Sequence, residues 1–350
     1  VGAGDAFAAW PGTRVDGRAY IPDAIARGAG AVLWESQGFR WNAGWAVPNA
    51  GVERLPAKLG YVADVVYGHP SRDLWMVGVT GTNGKTTTSQ WIAQALDDAG
   101  RRCGVIGTLG IGLAGALEPT ANTTPDAAVF HETLARFRDE GAKAVSMEVS
   151  SIGLDQGRVN GTTFDVAVFT NFTRDHLDYH GSMAAYWLAK AELFSWPGLQ
   201  AAVVNTDDPK GDSIVRALAG TGVDLWTVSS RGPARLQASD VGYDAQGLSF
   251  TVVEGHATHR LQTGLVGQYN VSNLLGVLGA MRAVGVPLGA AVRACSALPP
   301  VPGRMDCLSL PGRPLVAVDY AHTPDALEKA LEALRPLAMQ REGRLWVVFG

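Results

Sequence analysis

Val77-Gly78-Val79-Thr80-Gly81-Thr82-Asn83-Gly84-Lys85-Thr86-Thr87-Thr88 is the stretch on which the fold turns. An apolar strand over 74–79 runs into a Gly-rich turn ending in Gly84-Lys85-Thr86, and a helix is expected over 86–99. In such a strand–turn–helix, the turn's backbone N–H groups and the helix N-terminus converge on an anion. Lys85 then reaches for the β- and γ-phosphates of a nucleotide, and the Thr86 hydroxyl for Mg²⁺. The glycines depart from the commonest spacing. Five residues before Gly84 stands Val79, and the glycines lie at 78 and 81, so the loop is a variant form. An ordinary Gly-rich βα turn would explain the glycines alone, but not Lys-Thr at the mouth of a helix.

The bulk numbers set bounds. A chain of 350 residues has room for two or three domains, each with a core. It is 47% hydrophobic and 18% charged with net charge −4, which gives no reason to expect nucleic acid or an anionic membrane as partner. No apolar run approaches the ~18 to 20 residues of a spanning helix. Cys103, Cys295 and Cys307 are odd in number and lack metal spacing, so reduced thiols in a reducing compartment are expected. Nothing at the start of the chain reads as an export signal, and a cytoplasmic location is expected.

Working outward from the loop, apolar segments alternate with helical ones. Strands are expected over 74–79, 102–106, 144–149, 166–170, 201–205 and 225–228. Helices are expected over 86–99, 125–140, 182–195, 209–218 and 270–284. That alternation predicts an α/β fold with a mostly parallel sheet covered on both faces. A β-rich stretch over 236–266 is expected as an antiparallel edge. Residues 1–72 read as a smaller α/β unit, with a helix near 21–27 and a strand over 31–34, ending at Gly68-His69-Pro70-Ser71. The central unit is expected over 73–303. A third begins at 304, with a strand over 315–319, a helix over 324–337 and a strand over 344–349. One βαβ unit cannot cover its own sheet, so this last domain is expected to be incomplete.

Several segments carry chemistry. Glu148 ends a buried strand, where parallel sheets bind ligands, and is placed for Mg²⁺; it could equally cap the amides of Ser150 or Ser151. Residues 170–181 concentrate Asp175, His176, Asp178 and His180 after another strand, as a metal or phosphate contact or as a merely polar loop. Lys190 has Tyr186, Trp187, Leu193 and Phe194 as its helical neighbours. In that apolar stripe it either snorkels outward or loses its proton, and a neutral amine can take up CO₂ to become a metal-binding carbamate. Asn122-Thr123-Thr124-Pro125-Asp126 is expected to open a helix with Thr124 as N-cap, an N-terminus that also suits a substrate phosphate. Gln268-Tyr269-Asn270 starts another helix whose amides are placed to read an adenine edge. Arg304 sits in a junction turn, and Asp319-Tyr320-Ala321-His322-Thr323-Pro324 joins a strand to a helix.

Taken together these segments resemble the Mur ligases, over essentially the whole chain. Gly-Thr-Asn-Gly-Lys-Thr-Thr at 81–87 is the superfamily's ATP loop. The segments at 122–126, 148–151, 171–181 and 319–327 are similar to the branch that adds the third amino acid of the peptidoglycan stem peptide. The resemblance implies a three-domain α/β architecture. A UDP-binding N-terminal domain (1–72, its start missing) precedes a central P-loop-type ATPase domain (73–303) and a Rossmann-like C-terminal ligase domain (304–350, truncated). It implies a monomeric enzyme of cell-wall synthesis that uses ATP, two Mg²⁺ ions and a CO₂-derived carbamate on Lys190. The substrates would be UDP-MurNAc-L-Ala-D-Glu and a diamino acid, meso-2,6-diaminopimelate or, alternatively, L-lysine. Gly81, Thr82, Asn83, Gly84, Lys85, Thr86 and Thr87 would bind the ATP phosphates. Thr86 and Glu148 would hold one Mg²⁺, and His176 and carbamylated Lys190 the second. Asn122, Thr123, Thr124, Ser150, Gln156 and Arg158 would contact the UDP-MurNAc-dipeptide. Asn270 and Asn273 would take the adenine, and Arg304 and Asp319 the phosphate and ribose. Lys85, His176 and Lys190 would be catalytic. Thr13, Arg14 and Val15 would occupy a uridine-facing turn. The family's Ser-Arg uridine contact is expected before residue 1, and its amino-acid-selecting motif, Asp-Asn-Pro-Arg or a lysine-type counterpart, beyond Gly350. A folylpolyglutamate- or cyanophycin-type ligase, or a non-catalytic nucleotide-binding scaffold, are the rival readings.

Overall fold

The computed structural model describes residues 1–348 except residues 13, 14, 114, 245, 246 and 311. Its centre is an 11-stranded sheet. In spatial order the strands are Ala257–Thr263, Gly247–Glu254, Leu236–Asp244, Asp224–Ser229, Ala201–Asn205, Val166–Phe169, Trp75–Thr80, Ala144–Glu148, Cys103–Gly107, Gly110–Leu113 and Ala116–Glu118. From Leu236–Asp244 across to Cys103–Gly107 all neighbours pair in parallel; the strands beyond each end pair antiparallel. The expected antiparallel edge over 236–266 therefore forms, joined to the parallel part through Leu236–Asp244.

Trp75–Thr80 lies in the middle, flanked by Ala144–Glu148 and Val166–Phe169. The chain thus winds away from it in both directions, and the crevice outside its C-terminal end is where such a sheet takes a ligand. One face of the sheet packs on the helices Lys85–Asp98, Tyr269–Ala283 and Leu288–Ser296, through residues such as Trp91, Leu96, Val168, Leu274 and Leu278. The other packs on Ala127–Asp139 and Pro209–Leu218, through Phe130, Phe137, Val145, Phe169 and Ile214. The nearly continuous apolar strands follow from this double coverage.

Residues near the N-terminus form a separate three-stranded parallel sheet, Ala6–Ala9, Ala31–Glu35 and Asn49–Val52, with the helix Ile21–Ala26. The helix Leu55–Val66 follows, and its Gly60 lies so close to the Asn160 carbonyl that a Cβ would collide with it. At the other end of the chain, Asp306–Leu308 and Val316–Val318 make a two-stranded antiparallel sheet ahead of the helix Pro324–Gln340.

Some expectations need correcting. The helix expected from Pro125 starts at Ala127 with Asp126 as N-cap, its carboxylate accepting from the amides of Ala128 and Val129. Thr124 is instead drawn into the sheet, its hydroxyl donating to Glu148 O at 2.9 Å. The helix over 182–195 is α-helical only as Met183–Ala191 and tightens to a 3₁₀ turn over Glu192–Ser195. No strand forms over 344–348, where Trp346 and Val348 stand exposed without a neighbour to pair with among the described residues; Phe349 lies outside them. The helices Leu55–Val66 and Leu288–Ser296 and the hairpin Gly110–Leu113/Ala116–Glu118 carry weak sequence signals, because Gly and Pro interrupt their periodicity.

Phe130 is fully buried under the sheet. Phe130→Ala is expected to cost about 3–5 kcal/mol of unfolding free energy, read from the shift in a urea transition.

Candidate active site

The phosphate loop is held from the side. Residues 170–173, just past the neighbouring strand, carry the bonds. Thr82 N donates to Asn171 O at 2.9 Å and Asn83 N to Asn171 Oδ1 at 2.9 Å. Asn83 O accepts from Thr170 Oγ1 at 2.6 Å and from Asn171 Nδ2 at 3.0 Å. Thr82 Oγ1 donates to Thr173 O at 3.1 Å and accepts from Thr173 N at 3.0 Å. The Thr82 and Asn83 amides are thereby consumed by protein, which leaves the helix's first turn to face an anion. Two glycines are obligatory. Gly81 has φ +148° and a Cβ there would strike Thr170 Oγ1; Gly84 has φ +83° and a Cβ would strike Asn273 Oδ1.

Lys85 Nζ donates to Gly81 O at 3.0 Å and Thr82 O at 2.8 Å, and Lys190 Nζ donates to the same Gly81 O at 2.7 Å. Two lysine nitrogens thus gather on one loop carbonyl. Lys190 is 1% exposed and lies 4.5 Å from the Tyr186 ring centroid, so it does not snorkel. It makes no ion pair among the described residues. Burial, then repulsion by Lys85, holds its pKa well below the ordinary lysine value, against the pull of Asp175. Burial also lowers Lys85, which Glu148 and Asp175 partly offset. His176 takes a left-handed backbone, with φ +50°, and stands 3.4 Å from Asp175. Burial lowers its pKa and the neighbouring lysines add to this, so a neutral imidazole with a free lone pair is favoured.

Glu148 is 1% exposed. Its carboxylate accepts from Thr86 Oγ1 at 3.0 Å, Thr108 N at 2.7 Å and Thr108 Oγ1 at 3.2 Å, but from no cation among the described residues. Capping of Ser150 or Ser151 by Glu148 is not formed. Thr108 is a contributor that the sequence did not signal, because it only becomes Glu148's neighbour through the pairing of Cys103–Gly107 with Ala144–Glu148.

On one side of this cluster lies a cleft of about 280 Å³ between the central sheet and the third unit. Asn83, Gly84, Thr87, Asn270, Asn273, Arg304 and Asp319 all line it, as do Tyr320 and Asp325 from the segment 319–327 and Lys329, which the sequence did not signal. Asn273 Nδ2 donates to Asn270 Oδ1 at 2.9 Å, which fixes both amides. Arg304 Nη2 donates to Thr86 Oγ1 at 3.1 Å, and Met305 N donates to Asp319 Oδ2 at 2.8 Å.

On the other side, the expected substrate residues form a connected network. Thr108 and Thr123 share a hydrogen bond at 3.0 Å. Thr124 Oγ1 lies 3.1 Å from Ser150 Oγ and accepts from Ser150 N at 3.0 Å. Arg158 donates to Thr124 O at 2.7 Å and to Gln156 Oε1 at 2.9 and 2.7 Å, while Gln156 donates to Tyr179 OH at 3.2 Å. Asn122 stands apart, lining a different cavity beneath the hairpin Gly110–Leu113/Ala116–Glu118. Val15 is exposed; Thr13 and Arg14 lie outside the described residues.

Lys190 gives a pH signature. Between its lowered folded value and 10.5 the unfolded chain binds one more proton, so stability contributed by this group rises with pH across that window and is lost below it. In CO₂-free buffer the unfolding free energy of the wild type is expected to climb more steeply from about pH 8 to about pH 10 than that of Lys190→Met. Equal slopes in urea titrations would mean that the amine titrates normally in the fold.

Models of three protein families match this chain: the Mur ligase family catalytic domain over residues 1–66, the Mur ligase middle domain over 79–281, and the Mur ligase glutamate ligase domain over 303–350. A UDP-N-acetylmuramoyl-L-alanyl-D-glutamate–2,6-diaminopimelate ligase of Acidovorax sp. (strain JS42) is 52% identical over 354 residues, covering 99% of this chain and 71% of the relative. Its namesake from Pseudomonas aeruginosa is 51% identical over 350 residues, with 99% and 70% coverage. A solved structure of a ligase of that name superposes with a TM-score of 0.82 at 34% identity, over 96% of this chain and 68% of that one. Agreement this high, running the length of the chain and through both flanks of the cleft, places the protein among the Mur ligases.

Proposed function

We propose that this chain is an ATP-dependent amide ligase that joins 2,6-diaminopimelate to UDP-MurNAc-L-Ala-D-Glu, in the cytoplasmic stage of peptidoglycan synthesis. The observation that carries the reading is the gathering of Lys85, Lys190, Thr86 and Glu148 at the first turn of the helix Lys85–Asp98, with a cleft on one side and the Thr124–Ser150–Arg158 network on the other. The names of the similar ligases favour diaminopimelate over L-lysine.

The D-Glu carboxylate attacks the γ-phosphorus of ATP and ADP leaves. The amine of the diamino acid then attacks the resulting acyl phosphate, and inorganic phosphate leaves. No protein nucleophile is required; the side chains position the partners and balance charge. Asn270 and Asn273 would read the adenine, Asp319 the ribose and Arg304 the phosphates. Lys85 would exchange its loop carbonyls for the transferring phosphoryl oxygens. Thr123, Thr124, Ser150, Gln156 and Arg158 would orient the dipeptide, with Asn122 at the margin. Closure of the third unit would keep water from the acyl phosphate.

The residues fit a hard cation. Glu148 is a buried carboxylate with no ion-pair partner among the described residues, beside the Thr86 hydroxyl, an oxygen donor set that suits Mg²⁺. Thr86 and Glu148 would hold one ion, and His176 and a carbamylated Lys190 another. Bound there, the ions would neutralise charge gathering on the transferring phosphoryl group. Lys190 suits carbamylation: burial and Lys85 hold its pKa well below the ordinary lysine value, which favours the neutral amine that can attack CO₂, and the adduct becomes an anion on losing a proton.

The test is ADP release that depends on both UDP-MurNAc-L-Ala-D-Glu and the diamino acid. Lys85→Ala and Lys190→Ala are each expected to lower turnover by at least about a hundredfold. Wild-type protein grown with ¹³C-bicarbonate is expected to show a carbamate resonance that Lys190→Ala lacks. Preference for L-lysine would reassign the amino acid, and acceptance of a folate substrate would reassign the branch. Nucleotide binding without turnover would favour a scaffold.

A further inference from the structure

Among the described residues, the third unit meets the Gly-rich loop and its helix through two hydrogen bonds. One is Arg304 on Thr86. The other is Asp325, whose Oδ2 accepts from Asn83 Nδ2 at 3.3 Å across 242 residues of chain. Asp325 lies in the first turn of the 17-residue helix Pro324–Gln340, whose N-cap Thr323 accepts from Ala326 N at 3.2 Å. A carboxylate is favoured there by the helix's own field, so a helix-terminal role alone would account for its charge. It does not account for its direction, which is across the cleft to the loop.

Asn83 is an unusual partner. Its main chain is immobilised, the N–H by Asn171 and the carbonyl by both Thr170 and Asn171. Only the side chain is free to respond, and its amide sits between Thr173 Oγ1 at 3.4 Å and Asp325 Oδ2 at 3.3 Å. Both Asn83 and Asp325 line the cleft. A fixed loop residue with one adjustable donor, facing an acceptor on a different unit, transmits the position of that unit to the loop.

We infer that Asn83 and Asp325 form a closure contact: Asp325 seats the third unit on the nucleotide loop, coupling occupancy of the cleft to the position of the helix Pro324–Gln340. Asp325 is a positioning residue that acts through Asn83. The inference rests on the reading of the cleft as the nucleotide site.

The experiment is a double-mutant cycle on the affinity for Mg²⁺ with a non-hydrolysable ATP analogue, read by calorimetry, with hydrogen exchange over residues 324–330 in parallel. Asn83→Ala and Asp325→Ala are each expected to weaken binding about three- to tenfold, the range for a charge-assisted bond that is partly solvated. The double variant should be no weaker than the weaker single one. Asp325→Asn keeps an acceptor oxygen and should stay within about twofold of the wild type. Analogue-induced protection of 324–330 should disappear in both alanine variants. Additive losses, an Asp325→Asn as weak as Asp325→Ala, or unchanged protection would each overturn the closure contact. Lys85→Ala separates the two readings. If the wild type does not bind the analogue, or Lys85→Ala binds it equally well, the nucleotide reading falls and the contact with it. If Lys85→Ala loses binding while the cycle is additive, only the contact falls.

Discussion

The clamp between the phosphate loop and residues 170–173 is the constraint on which the rest of the molecule depends. Two strands that lie side by side, Trp75–Thr80 and Val166–Phe169, continue past the sheet edge as segments that satisfy each other's backbone. A Gly-rich loop loses more conformational freedom on ordering than any other sequence of its length. Here the order comes from outside the loop, through Asn171 and Thr170. The same bonds use up the amides of Thr82 and Asn83 and leave the first turn of the helix Lys85–Asp98 to face the cleft. The off-pattern Gly81 therefore has a structural cause, since the clamp leaves no space for a Cβ there, and Asn273 leaves none at Gly84.

Charge is the second organising theme. Glu148 and Lys190 are buried, and neither has a partner of opposite sign within ion-pair distance among the described residues. Buried charges left unpaired are costly unless a ligand completes them or the group changes its protonation. Glu148 offsets part of that cost with three hydrogen bonds from Thr86 and Thr108. For Lys190, burial and the neighbouring Lys85 lower its pKa well below the ordinary lysine value, which lessens the cost of leaving it unpaired. Both solutions leave the cluster incomplete in electrostatic terms.

Much of this was legible in the residues. The parallel sheet followed from apolar strands spaced by helices, and the Gly-rich strand–turn–helix at 75–98 from its order in the sequence. Asn270, Asn273, Arg304 and Asp319, far apart in sequence, were each singled out along the chain but joined into one set only through resemblance, and they line one cleft. What was misread has local causes. Thr124 carries an ideal capping side chain, yet Asp126 caps the helix because the Thr124 hydroxyl is claimed by Glu148 O. Residues 344–348 have strand-like composition, but β-propensity is expressed only when a neighbouring strand offers a ladder.

The sequence by itself determined the class of fold, the strand–turn–helix around the Gly-rich loop and the family, because these reside in local periodicity and in motifs that are contiguous along the chain. The tertiary structure decided what those motifs touch. Thr108 meets Glu148 only through strand pairing, Lys190 meets Gly81 only because the helix Met183–Ala191 packs over the loop, and Asp325 meets Asn83 only across the cleft. Hydrogen bonds and desolvation act over a few ångströms, so they depend on distances that no spacing in the sequence encodes.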